Sequence, residues 1–381
     1  MEKVRLGDVC TINGGYAFKS DQFSTEGVPV IRIGNITKVG LIIDEDVCYD
    51  ENFWNENDSY RIAKNDILIA MSGATVGKSC INNTERKLLL NQRVAAINCD
   101  NNINLKYIFY SIDSEKFSKY IMTNSIGCAQ PNISLKQIAN FEIPAVCVEE
   151  QNRIAGELDK VADVINKRKQ QLKKLDELVK ARFVELFGGL ERSTTIARYI
   201  SELRGGKSLA GTEPCKNKVL KTGAATFGWF DPEQYKYLPT DYEPLPEHKV
   251  ETGDVIISRM NTPELVGACS YVFDAPEDMY YPDRLWKAVL KENTNPIFLW
   301  QLLWDRDIRK AIKESSGGTS GTMHNISKAN LLAIKCMDAP IELQNEYAEF
   351  VKQTDKSKLE VQKSLEKLEV LKKALMQKYF G

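Results

Sequence analysis

Apolar residues follow three different rhythms along this chain, and the succession is used twice. Up to about residue 147 they cluster in short β-branched runs, such as Val28-Pro29-Val30-Ile31-Arg32-Ile33 and Asp66-Ile67-Leu68-Ile69-Ala70, bounded by Gly, Pro or Asn. Such runs predict strands. From Leu105 to about Tyr120 the spacing turns helical through Ile108, Phe109, Ile112 and Phe117, ahead of a loop at Gly127-Cys128-Ala129-Gln130-Pro131-Asn132. A third pattern then takes over. Ile154, Leu158, Val161, Ile165, Leu172, Leu175, Val179, Phe183 and Leu186 fall on alternating steps of three and four, with Arg168 in the one apolar slot left over. Sustained heptads with charges between them predict a coiled-coil helix over Glu149 to Phe187. Roughly 36 residues at about 1.5 Å each make a rod on the order of 54 Å long. Gly188-Gly189 ends it.

The same order returns. A mixed region runs from about Leu190 to Ala339, followed by heptad positions Tyr347, Val351, Val361, Leu365, Leu368, Leu375 and Tyr379, with Thr354, Lys358 and Lys372 weakening the seam. Asn132-Ile133-Ser134 reappears as Asn325-Ile326-Ser327, Gln151-Asn152 as Gln344-Asn345 and Phe187-Gly188 as Phe380-Gly381, all at an offset of 193 residues. Earlier landmarks repeat at slightly smaller shifts: Gly14-Gly15 and Gly205-Gly206, Asp66-Ile67-Leu68-Ile69 and Asp254-Val255-Ile256-Ile257, Arg93 and Arg284. A period near half the chain exceeds that of stacked repeat arrays, so it predicts two whole domains, each with its own connector. The expected parse is a first mixed domain at 1–147, a spacer helix at 148–189, a second mixed domain at 190–340 and a second spacer helix at 341–381. The fold class is α+β. Two amphipathic helices of equal length hide their stripes by packing on each other, or else on a partner subunit. A two-fold relation between the repeats would run them antiparallel, with the mixed domains at opposite ends.

Composition narrows the class without choosing a function. A chain of 381 residues, 43% hydrophobic and 27% charged, is ordinary globular material for two cores. No apolar run approaches the roughly 18 residues of a bilayer span, and Met1-Glu2-Lys3-Val4-Arg5 lacks an apolar signal core, so no membrane association and a cytoplasmic location are expected. Nine cysteines sit singly and only His248 and His324 supply imidazole, which suggests neither a zinc site nor a disulfide framework. The cysteines are expected to fill core space. A net charge of −1 leaves room for a local basic cleft.

The catalytic motifs fail on spacing. Gly73-Ala74-Thr75-Val76-Gly77-Lys78-Ser79 is one residue short of a phosphate-binding loop, and no Gly-Lys-Ser recurs near Gly267. Neither an N/D-P-P-Y/F tetrapeptide nor a G-x-G-x-x-G turn offers a methyl-donor or dinucleotide site. Asp283 beside Arg284 reads as a surface ion pair rather than a nuclease carboxylate. No metal site and no catalytic residue are expected.

Leu6-Gly7-Asp8-Val9, Gly14-Gly15-Tyr16-Ala17-Phe18, Asp66-Ile67-Leu68, Gly73-Ala74-Thr75-Val76-Gly77, Asn91-Gln92-Arg93, Pro131-Asn132-Ile133-Ser134 and Glu150-Gln151-Asn152-Arg153-Ile154-Ala155 occur in this order. Together with the duplication, they make the chain resemble a type I restriction-modification DNA specificity subunit over essentially its whole length. The second copy departs from the pattern, with Asp283-Arg284-Leu285 for Gln92-Arg93-Val94 and Met323-His324 for Gln130-Pro131. The resemblance implies a non-catalytic reader of double-stranded DNA. Each target recognition domain would bind one half of a bipartite, asymmetric site, and the helices would set the spacing. It also implies partners: methyltransferase subunits, expected to number two, that carry S-adenosylmethionine and dock around the helices, and restriction motor-nuclease subunits that use ATP and magnesium. No cofactor is expected in this chain. A self-sufficient methyltransferase or nuclease, or a coiled-coil scaffold, are the alternatives.

Base reading needs planar bidentate groups on rigidly held loops, which selects Arg32, Asn35, Gln92 and Arg93 in the first domain and Arg259, Asn261 and Arg284 in the second. Hydroxyl and ammonium groups suit phosphate, which selects Lys19, Ser72, Thr75 and Lys78, then Lys207, Lys221 and Ser258. Each competes with a solvated loop side chain or, for the arginines, a structural ion pair. Tyr16, Phe18, Trp229 and Phe230 are candidates to stack on a flipped base or to pack in the core.

Overall fold

The computed structural model describes residues 2–37, 39–99, 102–124, 131–320 and 322–381. Gly127 to Gln130 of the expected loop lie outside the described residues. Helix and strand are mixed, and the chain divides into two compact units, 1–170 with 362–381, and 171–361. The division falls inside both long helices, Val148–Phe187 and Ile341–Phe380, each of 40 residues.

The first unit is built on an antiparallel sheet of β1 (Cys10–Gly14), β2 (Ile67–Ala70), β3 (Ser79–Ile81) and β4 (Val94–Cys99), in the order β1-β4-β2-β3. Ile97 faces Ile12 and Ala95 faces Ile69, while Leu68 faces Cys80. Side chains alternate between faces along a strand. Ile67, Ile69, Ala95 and Ile97 therefore meet Tyr107 and Ile108 of helix Leu105–Ile112 and Phe117 and Ile121 of helix Glu115–Asn124. Leu68, Ala70, Val94 and Ala96 point the other way, against Ile31, Ile36 and Leu90. Covering both faces explains why these strands are continuous apolar runs. A satellite strand, Val28–Ile31, pairs antiparallel with Cys48–Tyr49 and parallel with Leu89–Leu90.

The second unit repeats this plan with β5 (Ile200–Gly205), β6 (Val255–Ser258), β7 (Cys269–Tyr271) and β8 (Leu285–Leu290), in the order β5-β8-β6-β7. Its satellite, Lys218–Leu220, pairs antiparallel with Tyr235–Tyr237 and parallel with Met279–Tyr280. The duplication is thus visible in strand order and pairing sense, not only in sequence.

Each unit grips a long helix in the same way. In the first, the Asn104 backbone N–H donates to Gln151 Oε1 (3.0 Å) and the Asn104 amide to Asn152 Oδ1 (2.7 Å). In the second, Asn295 does the same with Gln344 Oε1 (2.9 Å) and Asn345 Oδ1 (2.9 Å). The repeated Gln-Asn pair is a clasp between head and helix.

The ends of the long helices are core residues too. Within the first unit, Ile154 and Leu158 share a cluster with Tyr379 and Phe380, and the Phe380 ring lies 5.3 Å from Tyr107. Arg153 Nη1 is 3.4 Å from Tyr379 Oη and Lys169 Nζ is 3.2 Å from Glu369, so the two helical segments of this unit run in opposite directions. Within the second unit, Phe183, Phe187 and Tyr347 pack together, with Phe187 4.8 Å from Phe298, and Arg182 pairs with Glu346. All nine predicted stripe positions of the first long helix are buried or half-buried. The polar interruptions of the second are satisfied locally: Thr354 donates to the Phe350 carbonyl, Lys358 pairs with Asp176 and Lys372 lies over Tyr110. Cys147 is exposed and departs from the expected core role, whereas Cys10, Cys48, Cys80, Cys269 and Cys336 are buried. Among the described residues, no helix is long and apolar enough to cross a membrane.

Candidate nucleic-acid interface

Three chain segments meet at one junction in each unit. In the first, the Met71 N–H donates to the Arg93 carbonyl (2.8 Å) and the Ile133 N–H to the Met71 carbonyl (2.9 Å), at the end of β2. In the second, Arg259 donates to the Arg284 carbonyl (3.0 Å) and Ile326 to the Arg259 carbonyl (3.1 Å), at the end of β6. Backbone bonds thus place Arg93 and Arg284 at equivalent points, whatever side chains surround them. The glycine pairs bring a fourth segment close: Tyr16 donates to the Leu90 carbonyl (2.8 Å) and Gly206 to the Pro282 carbonyl (3.0 Å). A Cβ on Gly15 or Gly206 would overlap the carbonyl oxygen of Leu90 or Tyr281, so these positions need glycine for close approach.

Arg93 and Arg284 are exposed at the tips of these turns, and among the described residues neither guanidinium meets a carboxylate. The expected Asp283–Arg284 ion pair is not formed. Asp283 instead accepts a hydrogen bond from the Ser208 hydroxyl.

In the first unit, Gln92 and Arg93 stand between two clefts and line both. One, of about 960 Å³, is walled by Phe18, Arg32, Asn35, Ile42 and the acidic run Asp44 to Asp46. The other, of about 770 Å³, is walled by Ser72, Asn132, Ser134 and Lys136. Arg32 Nη2 lies 3.2 Å from Asp44, and bidentate bonds from Arg86 hold the Glu45 carboxyl below the usual range. Two of these three acids, Asp44 and Glu45, are therefore matched by arginines. Lys136 and Asn132 were missed as lining residues, although the 193-residue repeat of Asn132-Ile133-Ser134 was the available signal.

Three candidates have their polar groups buried. Asn35 is buried, and its Oδ1 accepts from the Arg32 backbone N–H (2.8 Å), capping the turn Ile33–Asn35. Ser258 is fully buried, its hydroxyl directed at the Met260 carbonyl (3.3 Å). The Thr75 hydroxyl is buried as well. Ser72 is half-buried at the second cleft, beside its bridge to Asn132. Lys19 and Lys78 are exposed outside both clefts. Gly73-Ala74-Thr75 forms a short turn that leads into strand β3, so no helix N-terminus faces a phosphate there.

In the second unit, Lys207 and Lys221 are exposed, with the Lys207 ammonium over the Tyr242 ring. Arg259 Nε donates to Asn325 Oδ1 (3.3 Å), and Asn261 Nδ2 reaches Thr226 Oγ1 (3.4 Å). Both are half-buried. Phe18 is core, Phe230 packs on the core and Tyr16 leans on Phe18, Phe53 and Tyr60, whereas Trp229 stands out in solvent.

Comparison with known proteins gives this junction a context. Residues 1–175 match the model of the type I restriction modification DNA specificity domain. The specificity subunit of the type I restriction enzyme EcoKI of Escherichia coli (strain K12) is 22% identical over 98% of this chain and 87% of its own length. The specificity subunit of the type I restriction enzyme MjaVIII of Methanocaldococcus jannaschii is 29% identical over 45% of this chain and 43% of its own length. The solved type I restriction-modification S subunit from M. genitalium shares the fold at a TM-score of 0.58, with 16% identity, over 100% of this chain and 96% of its own.

Proposed function

We propose that this chain, whose residues 1–175 match the type I restriction modification DNA specificity domain, belongs to that family and reads one half of an asymmetric bipartite DNA sequence with each of its two heads. The family's role is DNA sequence specificity, and its members are the non-catalytic recognition component of the restriction-modification complex. The observation that carries the two-headed reading is the junction built twice from the same backbone bonds around different side chains, Met71, Gln92 and Arg93 in one head and Arg259, Asp283 and Arg284 in the other. An arginine held at the tip of a turn is suited to guanine, which it meets with two parallel hydrogen bonds. Lys19, Lys78, Lys207 and Lys221 suit phosphates, which position a reader without informing it.

The long helices set the distance between half-sites. A helix of 40 residues is about 60 Å long, and the face of DNA returns about every 10 to 10.5 base pairs, so a fixed spacer selects a nearly constant interval. Two methyltransferase subunits dock around these helices. Val164, Leu178, Val184, Leu359, Val370 and Leu371 support that role, because they are exposed apolar residues outside the buried stripe. S-adenosylmethionine, ATP and magnesium belong to the methyltransferase and restriction subunits, and the complex works in the cytoplasm.

Sequencing the modified adenines of the host genome tests the reading. Two dissimilar short motifs at one spacing are expected. Inserting one base pair between them must abolish methylation by the complex, and indifference to that insertion overturns the spacer role.

A further inference from the structure

Both heads project apolar side chains from the same loop, the one that follows the satellite strand. In the second head, strand Lys218–Leu220 leads through Lys221 into the turn Thr222–Ala225, and the chain then presents Phe227 and Trp229, 63% and 60% exposed. In the first head, strand Val28–Ile31 leads through Arg32 into the turn Ile33–Asn35, and the hairpin that follows presents Val39 and Ile42, 92% and 53% exposed. Two sequences that have diverged so far in these loops still leave apolar surface at the same place.

The second head holds its pair rigidly. The two rings stack on each other, with centroids 5.6 Å apart and planes at 28°. Gly228 between them has φ of +84°, and a Cβ there would touch the Trp304 ring, so the backbone is pinned against the head while the rings face outward. The loop is closed at its base by the Asp231 N–H donating to the Ala224 carbonyl (3.0 Å), and Thr226 is tied to Thr222 (2.9 Å). Ordering these rings in advance removes most of the entropy cost of using them.

Position argues for the occupant. Thr226 Oγ1 is the partner of Asn261, and Lys221 stands at the start of the same turn, so the aromatic pair continues the candidate DNA face. In the first head, Ile42 lines the same cleft as Gln92 and Arg93. An exposed apolar wedge on a loop that begins at a lysine fits the stacked bases of a duplex, whose edges are flanked by phosphate, and architectural DNA binders insert apolar side chains between base steps in this way.

We infer that the Phe227–Trp229 loop inserts into a base step of duplex DNA beside the half-site read by Arg284, with Val39 and Ile42 as its aliphatic counterpart in the first head. The inference rests on the DNA-reading function proposed above. It makes the second head a reader of DNA deformability as well as of base edges, because flexible pyrimidine–purine steps open at lower cost.

The test uses the full chain with its methyltransferase subunits and the target duplex found by methylation sequencing, carrying 2-aminopurine at successive positions. Wild-type protein is expected to raise 2-aminopurine fluorescence at one step in the half-site read by the second head. The double variant Phe227→Ala, Trp229→Ala should lose that rise and bind about tenfold more weakly, the effect of one lost stacked base. Its salt dependence should be unchanged, since no phosphate contact is removed. Arg284→Ala separates the two readings. If it relaxes sequence choice in that half-site while the double variant changes neither affinity nor fluorescence, the wedge is wrong and the reader stands. If wild-type protein shows no sequence preference at all, the reader itself fails. Loss of the methyltransferase subunits from the double variant, with DNA affinity of the remaining chain intact, would mark the loop as a protein-docking surface and overturn the inference.

Discussion

The two heads bury the same aspartate at the start of the same strand and wire it differently. Asp66 accepts from the backbone N–H of Ala63 (2.8 Å) and from the Asn98 amide (3.0 Å), and burial pushes its carboxyl above the usual range. Asp254 accepts from the backbone N–H of Glu251 (2.9 Å) and from the Tyr281 hydroxyl (3.0 Å), and lies 2.9 Å from Lys287 Nζ. The backbone bond, from three residues upstream, is common to both. The side-chain partner has changed from a neutral amide to a phenol and an ammonium. The turns that carry Arg93 and Arg284 obey the same rule, with main-chain bonds shared and neighbouring side chains replaced. A fold duplicated in this way can change what it recognises without changing where it presents it.

The comparison can be broken most sharply at the helix ends. Phe380→Ala and Phe187→Ala each remove a buried ring, at a cost of roughly 3–5 kcal/mol. Hydrogen exchange should show the first weakening residues 1–170 and the second weakening 171–361. If both variants loosen the same unit, the division of cores is wrong. Arg93→Ala and Arg284→Ala should each relax one half-site by about 1–3 kcal/mol and leave the other half unchanged, as read by methylation of a randomised target library. Smaller effects come from the clasps: Gln344→Ala leaves the Asn295 N–H and the Ala339 carbonyl without that partner and should cost about 1–3 kcal/mol. Gln151→Ala should cost somewhat less, because Gln151 is less deeply buried, and urea melts would rank the two. The subtlest contrast is in pH. Asp66 has a folded pKa raised above 3.8, so it favours the folded state below that value and this contribution is lost as pH rises through the folded pKa. Asp66→Asn removes a contribution that grows as pH falls, so it should steepen the acid limb of the stability curve, and an unchanged limb would remove burial as the cause.

Much of this plan was legible in the chain. The heptads gave the long helices because the seam residues from Ile154 to Leu186 must be hidden, and the offset of 193 revealed the clasp residues Gln151 and Gln344 before their partners were known. Strand runs such as Ile67–Ala70 were readable because burial on both faces makes them uniformly apolar. The site was less accessible. Asn35 and Ser258 carry groups suited to DNA, yet each satisfies a local backbone group instead, a choice set by loop geometry that periodicity does not encode. Phe227 and Val39 look like core residues in a string of letters, and only the turns that precede them put them in solvent. The identity of the core that receives Phe187 or Phe380 is a matter of long-range topology, invisible to any local pattern.

That topology reverses the order in which the heads mature. The segment of the second unit, 171–361, is synthesised without interruption, so its packing is available as soon as Val361 has emerged. The first unit waits for Tyr379 and Phe380, made 280 residues (379 − 99) after its own sheet ends at Cys99. Of the two units, the one whose sheet is translated earlier is the last to be sealed, and a premature stop just short of Tyr379 would injure the first unit rather than the second.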